Sequence, residues 1–317
     1  MGSALDRAVG TLIRDCLDLK PSEDVLVVCN PMTEELGALL RINAQGEGGE
    51  ATLAVIAERE SHTAEPPRTV AAAMLAADLV IAPTVQSLSH TEARRAATKA
   101  GVRIASMPGV TPEMLSRVMG ADMKLLRKRG SSIGRALGAG AEARITCAHG
   151  TDLRIGLEDR TAIVDAGALN MKGAFGNIPC GEAFIAPVEG SAEGTLVVDG
   201  SIARVGKVDG PAELTIRAGH LTDATGASGA RLLELLTEHG PDGTNVAELG
   251  IGTNECAILT GSVLEDEKIL GSAHVAFGAS AAIGGTVQVP IHLDCVILKP
   301  TVEIDGITIV RDGELTV

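Results

Sequence analysis

Short apolar runs alternate with amphipathic stretches along the first part of the chain, and this alternation limits the folds open to it. The apolar runs lie at 25–28, 52–56, 79–81 and 102–105. Helical patterns lie before and between them, near 4–17, 34–44, 69–77 and 91–99. Continuous apolar strands separated by helices are typical of a parallel sheet that is covered on both faces. Residues 1–135 are therefore predicted to form an α/β domain with a mostly parallel sheet.

A second pattern begins near residue 136 and runs to the end of the sequence. Short strands punctuated by glycine follow one another, and the stretches 144–147 and 152–156 indicate a hairpin. One helical pattern, near 227–238, interrupts these strands. Residues 136–317 are therefore predicted to form a β-rich α+β domain.

The composition excludes several classes of function. Among 317 residues there is no tryptophan or tyrosine, so the core must be aliphatic and no phenol can act as an acid, a base or a ligand. The chain carries 27 basic and 41 acidic residues, with no basic run, which argues against nucleic-acid and anionic-membrane partners. Six scattered cysteines without a C-x-x-C pair indicate reduced thiols. With no signal peptide and no apolar stretch of membrane length, a soluble cytoplasmic protein is expected.

Acidic and imidazole side chains concentrate in the last third of the sequence. His292 and Asp294 stand two residues apart in the apolar stretch 287–298, so on a strand their side chains leave the same face. Neutral imidazole with carboxylate is a ligand set for zinc, cobalt, manganese and ferrous iron. Such a pair is costly to bury unless something binds it, so we predict a metal site in the second domain.

Other polar residues in this region are open to two interpretations. Because Glu248 lies in an apolar stretch, its carboxylate either pairs with another polar group or binds a metal. Glu182, considered by itself, is typical of an ordinary acidic residue in a turn. A lone histidine in a segment like that of His274 is more often a hydrogen-bonded core residue. The acidic run 265–267 is typical of a solvated face that Lys268 balances. No Gly-x-Ser-x-Gly elbow is present, and Cys180, beside no identifiable histidine, is a minor nucleophile hypothesis.

Five motifs in order resemble the aminopeptidase T/aminopeptidase S family of metallo-aminopeptidases. They are Asn-Ile-Pro-Cys-Gly-Glu (177–182), Glu-Leu-Gly-Ile-Gly-Thr-Asn (248–254), Glu-Asp-Glu-Lys (265–268), Gly-Ser-Ala-His (271–274) and His-Leu-Asp (292–294). The resemblance covers roughly residues 140–305 well and the first domain in outline. It implies a homodimeric enzyme that releases N-terminal residues from peptides with two metal ions, usually zinc or cobalt, in an enclosed cavity. The mean hydropathy of +0.23 also favours a homodimer.

The resemblance assigns metal ligands residue by residue. The two glutamate ligands of the family fall on Glu182 and Glu248, the two histidines on His274 and His292, and the aspartate on Asp294. The resemblance alone also places Glu267 and Lys268 near the site. The family also uses a tyrosine ligand shortly after the first histidine, a position where this chain has none. The resulting prediction is a metal-dependent aminopeptidase with two divalent ions (zinc, cobalt or manganese). Its catalytic residues are Glu182 and Glu248, and its substrate is a peptide or another small molecule.

A similar branch of sequences uses the same residues differently. It contains ferrous dioxygenases that open dihydroxypyridine rings with two histidines and one carboxylate, here His274, His292 and Asp294. In that alternative one Fe(II) ion is bound, and Glu182 and Glu248 are superfluous as ligands. Their presence favours hydrolysis, because carboxylates that bridge two cations suit a two-metal hydrolase. A metal-binding homologue without peptidase activity is the third hypothesis.

Overall fold

The computed structural model describes residues 3–61 and 64–317. His62, which the sequence assigns to a polar loop, lies outside them. The chain forms two compact units, Met1–Met123 with Gly167–Cys180 and Lys124–Ala166 with Gly181–Val317. The domain limit at residue 135 stays a prediction. Among the described residues, no helix combines the length and apolar composition needed to cross a bilayer.

The helices and strands are numbered along the chain. The α-helices are α1 (Ala4–Gly10), α2 (Glu34–Gly46), α3 (Arg68–Ala76), α4 (Glu92–Ala100), α5 (Pro112–Val118), α6 (Met123–Ala139), α7 (Gly226–Thr237) and α8 (Val263–Asp266). The strands are β1 (Asp24–Cys29), β2 (Glu50–Val55), β3 (Leu79–Ala82), β4 (Arg103–Ser106), β5 (Glu142–Thr146), β6 (Asp152–Gly156), β7 (Ile163–Asp165), β8 (Phe175–Asn177), β9 (Glu182–Ile185), β10 (Glu193–Val198), β11 (Ser201–Ile202), β12 (Gly206–Lys207), β13 (Ala212–Arg217), β14 (His220–Ala224), β15 (Val246–Gly252), β16 (Ala273–Gly278), β17 (His292–Ile297), β18 (Thr301–Ile304), β19 (Ile307–Arg311) and β20 (Glu314–Leu315). A π-helical turn (Thr11–Cys16) follows α1, and short 3-10 turns lie at Pro31–Thr33, Pro241–Thr244 and Ala281–Ile283.

The first unit contains a five-stranded sheet in the order β2-β1-β3-β4-β8, and every neighbouring pair is parallel. The side chains of β3 are buried throughout, as are all but the first of β1, which explains why these strands appear in the sequence as unbroken apolar runs. Threonine side chains begin two of the helices: Thr91 caps α4 and Thr111 caps α5. The α/β part of the predicted fold class is confirmed.

The second unit consists of two sheets that share one hydrophobic core. An eight-stranded sheet has the order β14-β13-β10-β6-β5-β18-β19-β20, and a seven-stranded sheet has the order β12-β11-β17-β16-β15-β9-β7. All strand pairs in both are antiparallel. The core takes alternate residues of both sheets, together with side chains of α6 and α7. The predicted β-rich α+β class is confirmed.

Alternation along the seven-stranded sheet separates its core residues from its polar ones. The core receives Leu249 and Ile251 from β15, and Val275 and Phe277 from β16. Because successive side chains of a strand point to opposite faces, the residues between them lie on the other face of the sheet. That second face carries the candidate metal ligands.

Close packing at Gly250 fixes the position of one of these residues. Gly250 pairs with His274 across β15 and β16, and a Cβ atom at Gly250 would lie 2.0 Å from Nε2 of His274. The imidazole therefore occupies the space that a side chain at this position would take. Since His274 is fully buried, it has little room to yield.

Replacement of Gly250 by alanine is expected to lower the free energy of unfolding by about 1–3 kcal/mol, the usual cost of overpacking a well-packed site. Gly210→Ala is the matched control, because a Cβ atom there meets nothing within 4 Å. The control is expected to stay within about 0.5 kcal/mol of the parent. Urea unfolding measures both values, and equal changes in the two variants would contradict the packing described for His274.

Candidate metal centre

The structure brings together all five residues predicted as ligands, although four different strands supply them. Glu182 begins β9, Glu248 lies in β15, His274 in β16, and both His292 and Asp294 in β17. Each belongs to the face of the seven-stranded sheet that turns away from the shared core. Four of them are buried, and the side chain of His292 is 26% exposed.

Glu248 lies at the middle of this cluster, between the two imidazoles. Its Oε1 is 3.2 Å from Nε2 of His274, and its Oε2 is 3.4 Å from Nε2 of His292. Nε2 of His274 also lies 3.3 Å from Oε2 of Glu182, and Nε2 of His292 lies 3.5 Å from Oδ1 of Asp294. The cluster therefore contains two sets of converging donors, Glu182–Glu248–His274 and Glu248–His292–Asp294, each with its atoms within 4.8 Å of one another.

Lys268 enters the same cluster from the segment that follows α8. Its side chain is fully buried, its Nζ lies 3.1 Å from Oε1 of Glu182, and it also forms an ion pair with Glu267. An isolated ammonium group would be too costly to bury, so these two carboxylates are what permits its position.

The acidic run 265–267 is not a solvated face, and that interpretation of the sequence is wrong. Glu265 and Asp266 are fully buried, and Glu267 is 7% exposed. Asp266 accepts hydrogen bonds from the backbone N–H groups of Thr260 and Gly261, and Glu265 accepts one from Ile258. These two carboxylates hold the loop before α8, while Glu267 turns to Lys268.

The second nitrogen of each imidazole has a different environment. Nδ1 of His292 lies 2.8 Å from the carbonyl oxygen of Ala279, to which it can donate a hydrogen bond. This contact orients the ring and leaves Nε2 for a metal, which is the arrangement found behind most metal-bound histidines. Nδ1 of His274 is buried without a hydrogen-bond partner among residues 3–61 and 64–317.

Three carboxyl groups of the cluster have shifted pKa values. Burial, the largest influence, would raise the pKa of Glu182, but the charges of Lys268 and His274 and their hydrogen bonds together hold that pKa below its ordinary value. Burial, and then the charge of Glu182, raise the pKa of Glu267 to about 8. Burial, the largest influence, also opposes ionisation of Asp294, yet the charge and hydrogen bond of His292, with the charges of His274 and Lys268, together lower its pKa to about 2. Glu267 is thus the carboxyl that keeps its proton near pH 7.

Both histidines are more basic than usual in the metal-free protein. Burial, the largest influence, favours the neutral imidazole, but the hydrogen bonds to Glu182 and Glu248 and the charges of both carboxylates together raise the pKa of His274 well above its ordinary value. For His292, burial is again the largest influence, but the charges of Asp294 and Glu248 and their hydrogen bonds together raise its pKa well above the ordinary value. Excess negative charge around the rings is the common cause.

The balance of charge in the cluster fits a divalent cation. Counted over Glu182, Glu248, Asp294 and Lys268, and with Glu267 protonated, three carboxylates and one ammonium leave an excess of two negative charges. Two imidazole protons or one divalent ion would compensate that excess equally. The nitrogen and oxygen donors are also those preferred by first-row divalent metals.

Sequence reasoning missed three features of the site. Lys268 stands next to acidic residues in sequence, which hid its burial. Gly250 gives no signal of its own until the register of β15 and β16 is known. The carbonyl group of Ala279 belongs to the backbone and cannot be read from a motif. Cys180, the minor nucleophile hypothesis, is fully buried within the first unit.

The chain matches a family model described as "NicX: 2,5-dihydroxypyridine 5,6-dioxygenase" over residues 20–317. A 2,5-dihydroxypyridine 5,6-dioxygenase of Pseudomonas putida KT2440 is 25% identical to it, over 77% of this chain and 72% of the relative. Both findings concern dioxygenases.

Two solved structures share the fold. The 2,5-dihydroxypyridine dioxygenase of Pseudomonas putida KT2440 superposes with a TM-score of 0.86 at 20% identity, covering 100% of this chain and 98% of the other. Wild-type AmpT of Thermus thermophilus superposes with a TM-score of 0.71 at 17% identity, covering 99% of both chains. The resemblance to aminopeptidase T is therefore correct for the fold.

The predicted aminopeptidase activity is wrong, because the family model and the curated relative both name a dioxygenase, which is an oxidoreductase and not a hydrolase. The error came from treating Glu182 and Glu248 as evidence for two metals. In the structure Glu182 is an ion-pair partner of Lys268, and Glu248 lies between two imidazoles. A dioxygenase of this family implies a metal cofactor, iron, and the nitrogen and oxygen donors of the cluster can hold a metal ion. The chain belongs to the NicX 2,5-dihydroxypyridine 5,6-dioxygenase family.

Proposed function

We propose that this protein is an Fe(II)-dependent dioxygenase that opens the ring of a 2,5-dihydroxypyridine-type substrate. The observation that carries the proposal is the family match over residues 20–317, which includes every residue of the buried cluster. The structural likeness to the Pseudomonas putida enzyme over the whole chain supports it at the level of the fold.

We propose His274, His292 and Asp294 as the iron ligands. Two imidazoles and one carboxylate with open positions beside them form the ligand set of non-haem Fe(II) oxygenases. All three side chains project from one face of one sheet. Nε2 of His274 lies beside Oε1 of Glu248, and Nε2 of His292 lies beside Oε2. When bound, a ferrous ion would supply the sites at which dioxygen and the hydroxylated ring meet.

The protein's own groups hold the ligands in the states that a metal needs. The depressed pKa of Asp294 keeps it ionised, and the Ala279 carbonyl orients the ring of His292. Glu248 is the carboxylate closest to both imidazoles, so its oxygens are suited to accept the proton that a substrate hydroxyl releases on binding. Oε1 of Glu182 is less suited, because Lys268 already donates to it.

We propose one ion in this centre. The prediction of two zinc, cobalt or manganese ions was tied to hydrolysis, and it stays a prediction that metal analysis can test. One divalent ion equals the excess charge of the cluster when Glu267 is protonated.

The homodimer also remains a proposal. It is supported by the mean hydropathy of +0.23 and by large apolar side chains on the surface, among them Met32, Met171 and Ile307. Light scattering during gel filtration at micromolar concentration is expected to give a mass near twice that of the chain. A mass that stays at 32.4 kDa would contradict the dimer.

Anaerobically purified protein loaded with Fe(II) is expected to consume about one O₂ per molecule of 2,5-dihydroxypyridine, with loss of the ring's ultraviolet absorbance. His292→Ala and Asp294→Asn are each expected to lower the rate at saturating substrate by at least about 100-fold. Loss of a group that only hydrogen-bonds to a metal ligand already lowers activity by about 10–100-fold, and loss of the ligand itself is expected to lower it further. An oxygen electrode and a spectrophotometer follow both signals.

His149→Ala is the matched control, since His149 is half exposed in the turn between β5 and β6 and lies outside the cluster. It is expected to retain the parent's rate. Iron-loaded parent protein that consumes no oxygen with this substrate would argue against the substrate. Full activity in His292→Ala would contradict the ligand assignment.

Metal affinity is expected to rise with pH. Both imidazoles have raised pKa values without metal, so below those values each must lose a proton before it can bind an ion. Each released proton changes the affinity by up to about tenfold per pH unit. Competition with a chromophoric chelator for Mn²⁺ between pH 6 and 8 measures the slope. The slope is expected to fall by about one proton in His292→Ala, and an affinity independent of pH would contradict the account of the histidines.

A further inference from the structure

Lys268 belongs to the buried cluster, yet none of the proposed chemical steps uses it. Its side chain is fully buried, and both of its named ion-pair partners, Glu182 and Glu267, belong to the cluster. A lysine whose role is only to neutralise surface acids would not need this position. Its location suggests that it acts on the metal centre itself.

The carboxylate of Glu182 joins two cationic positions. Oε1 lies 3.1 Å from Nζ of Lys268, and Oε2 lies 3.3 Å from Nε2 of His274. In a two-metal centre a carboxylate joins two ions in a comparable way, with the ions about 3.5–4 Å apart. Here one side of Glu182 faces a proposed iron ligand, and the other side is already occupied by an ammonium group.

We propose that the ammonium group of Lys268 takes the place of a second cation and limits the centre to one divalent ion. The inference rests on the proposed function only in treating the cluster as a metal site. A second divalent ion on Oε1 of Glu182 would lie within a few ångströms of a fixed positive charge, where repulsion in a poorly solvated interior is strong. Glu267 holds the ammonium from its other side, so the lysine cannot swing away.

The number of metal ions bound per chain tests the role of Lys268 without any measurement of enzyme activity. Parent protein, dialysed against Mn²⁺ and analysed by elemental analysis, is expected to bind about one ion per chain up to millimolar Mn²⁺, and Lys268→Gln about two. Electron paramagnetic resonance provides a second readout, because two neighbouring Mn²⁺ ions couple and broaden the six-line signal of a single ion. Lys299→Gln, the same change at an exposed lysine of the second unit, is expected to stay at one ion.

A double variant covers the case in which Lys268→Gln does not fold. Lys268→Gln with Glu267→Gln removes the ammonium and one of its carboxylate partners together and leaves Oε1 of Glu182 free. It too is expected to bind a second ion. One ion in whichever variant folds would overturn the proposal and leave Lys268 a purely structural ion-pair partner. Two ions in the parent protein at micromolar Mn²⁺ would overturn it directly.

The outcome is separable from that of the proposed function. A protein that opens no dihydroxypyridine ring, but binds one ion in the parent and two without Lys268, would support this inference and contradict the proposed reaction. Ring opening with an unchanged metal count in the Lys268 variants would do the reverse.

Discussion

Four buried carboxyl groups, three on one face of a sheet and one from Glu267 after α8, gather around a single ammonium group and impose the constraint on which the rest of the site depends. Ionised groups without compensation are not tolerated in a protein interior. The structure responds in three ways: Glu267 retains a proton, Lys268 stays charged between the Glu182 carboxylate and the Glu267 carboxyl group, and the two imidazoles become strong proton acceptors. A divalent cation would neutralise the remaining negative charge, so the charge balance of the cluster favours such a cation over a neutral ligand.

The seven-stranded sheet allows this cluster to exist without weakening the core. Its two faces have different character, because the core side chains of β15, β16 and β17 point to one face while Glu248, His274, His292 and Asp294 lie on the other. A slip of one residue in the register of any of these strands would bury charge in the core and expose aliphatic side chains, so the register is strongly specified. Gly250 completes the arrangement, since its missing side chain gives His274 the space to reach the two glutamates.

Much of the fold could be predicted from periodicity, because unbroken apolar runs such as 25–28 and 79–81 are the direct consequence of strands buried on both faces. The pairing of His292 with Asp294 followed from the two-residue period of a strand. The apolar context of Glu248 left a ligand role open, whereas Glu182 and His274 were assigned as ligands only through a resemblance. Lys268 and the acids 265–267 were misjudged, since a charge run gives no sign of burial until its distant partners are known. The activity was misjudged because a dioxygenase and an aminopeptidase share this fold.

The location of the bound metal tests the central claim most directly. Crystals grown anaerobically with Fe(II) and measured at the iron absorption edge are expected to show about one anomalous peak per chain, at bonding distance from His274, His292 and Asp294. Lys268 is expected to remain against Glu182 in the same crystals. Two peaks bridged by Glu182 or Glu248, or a single peak outside the cluster, would contradict the account.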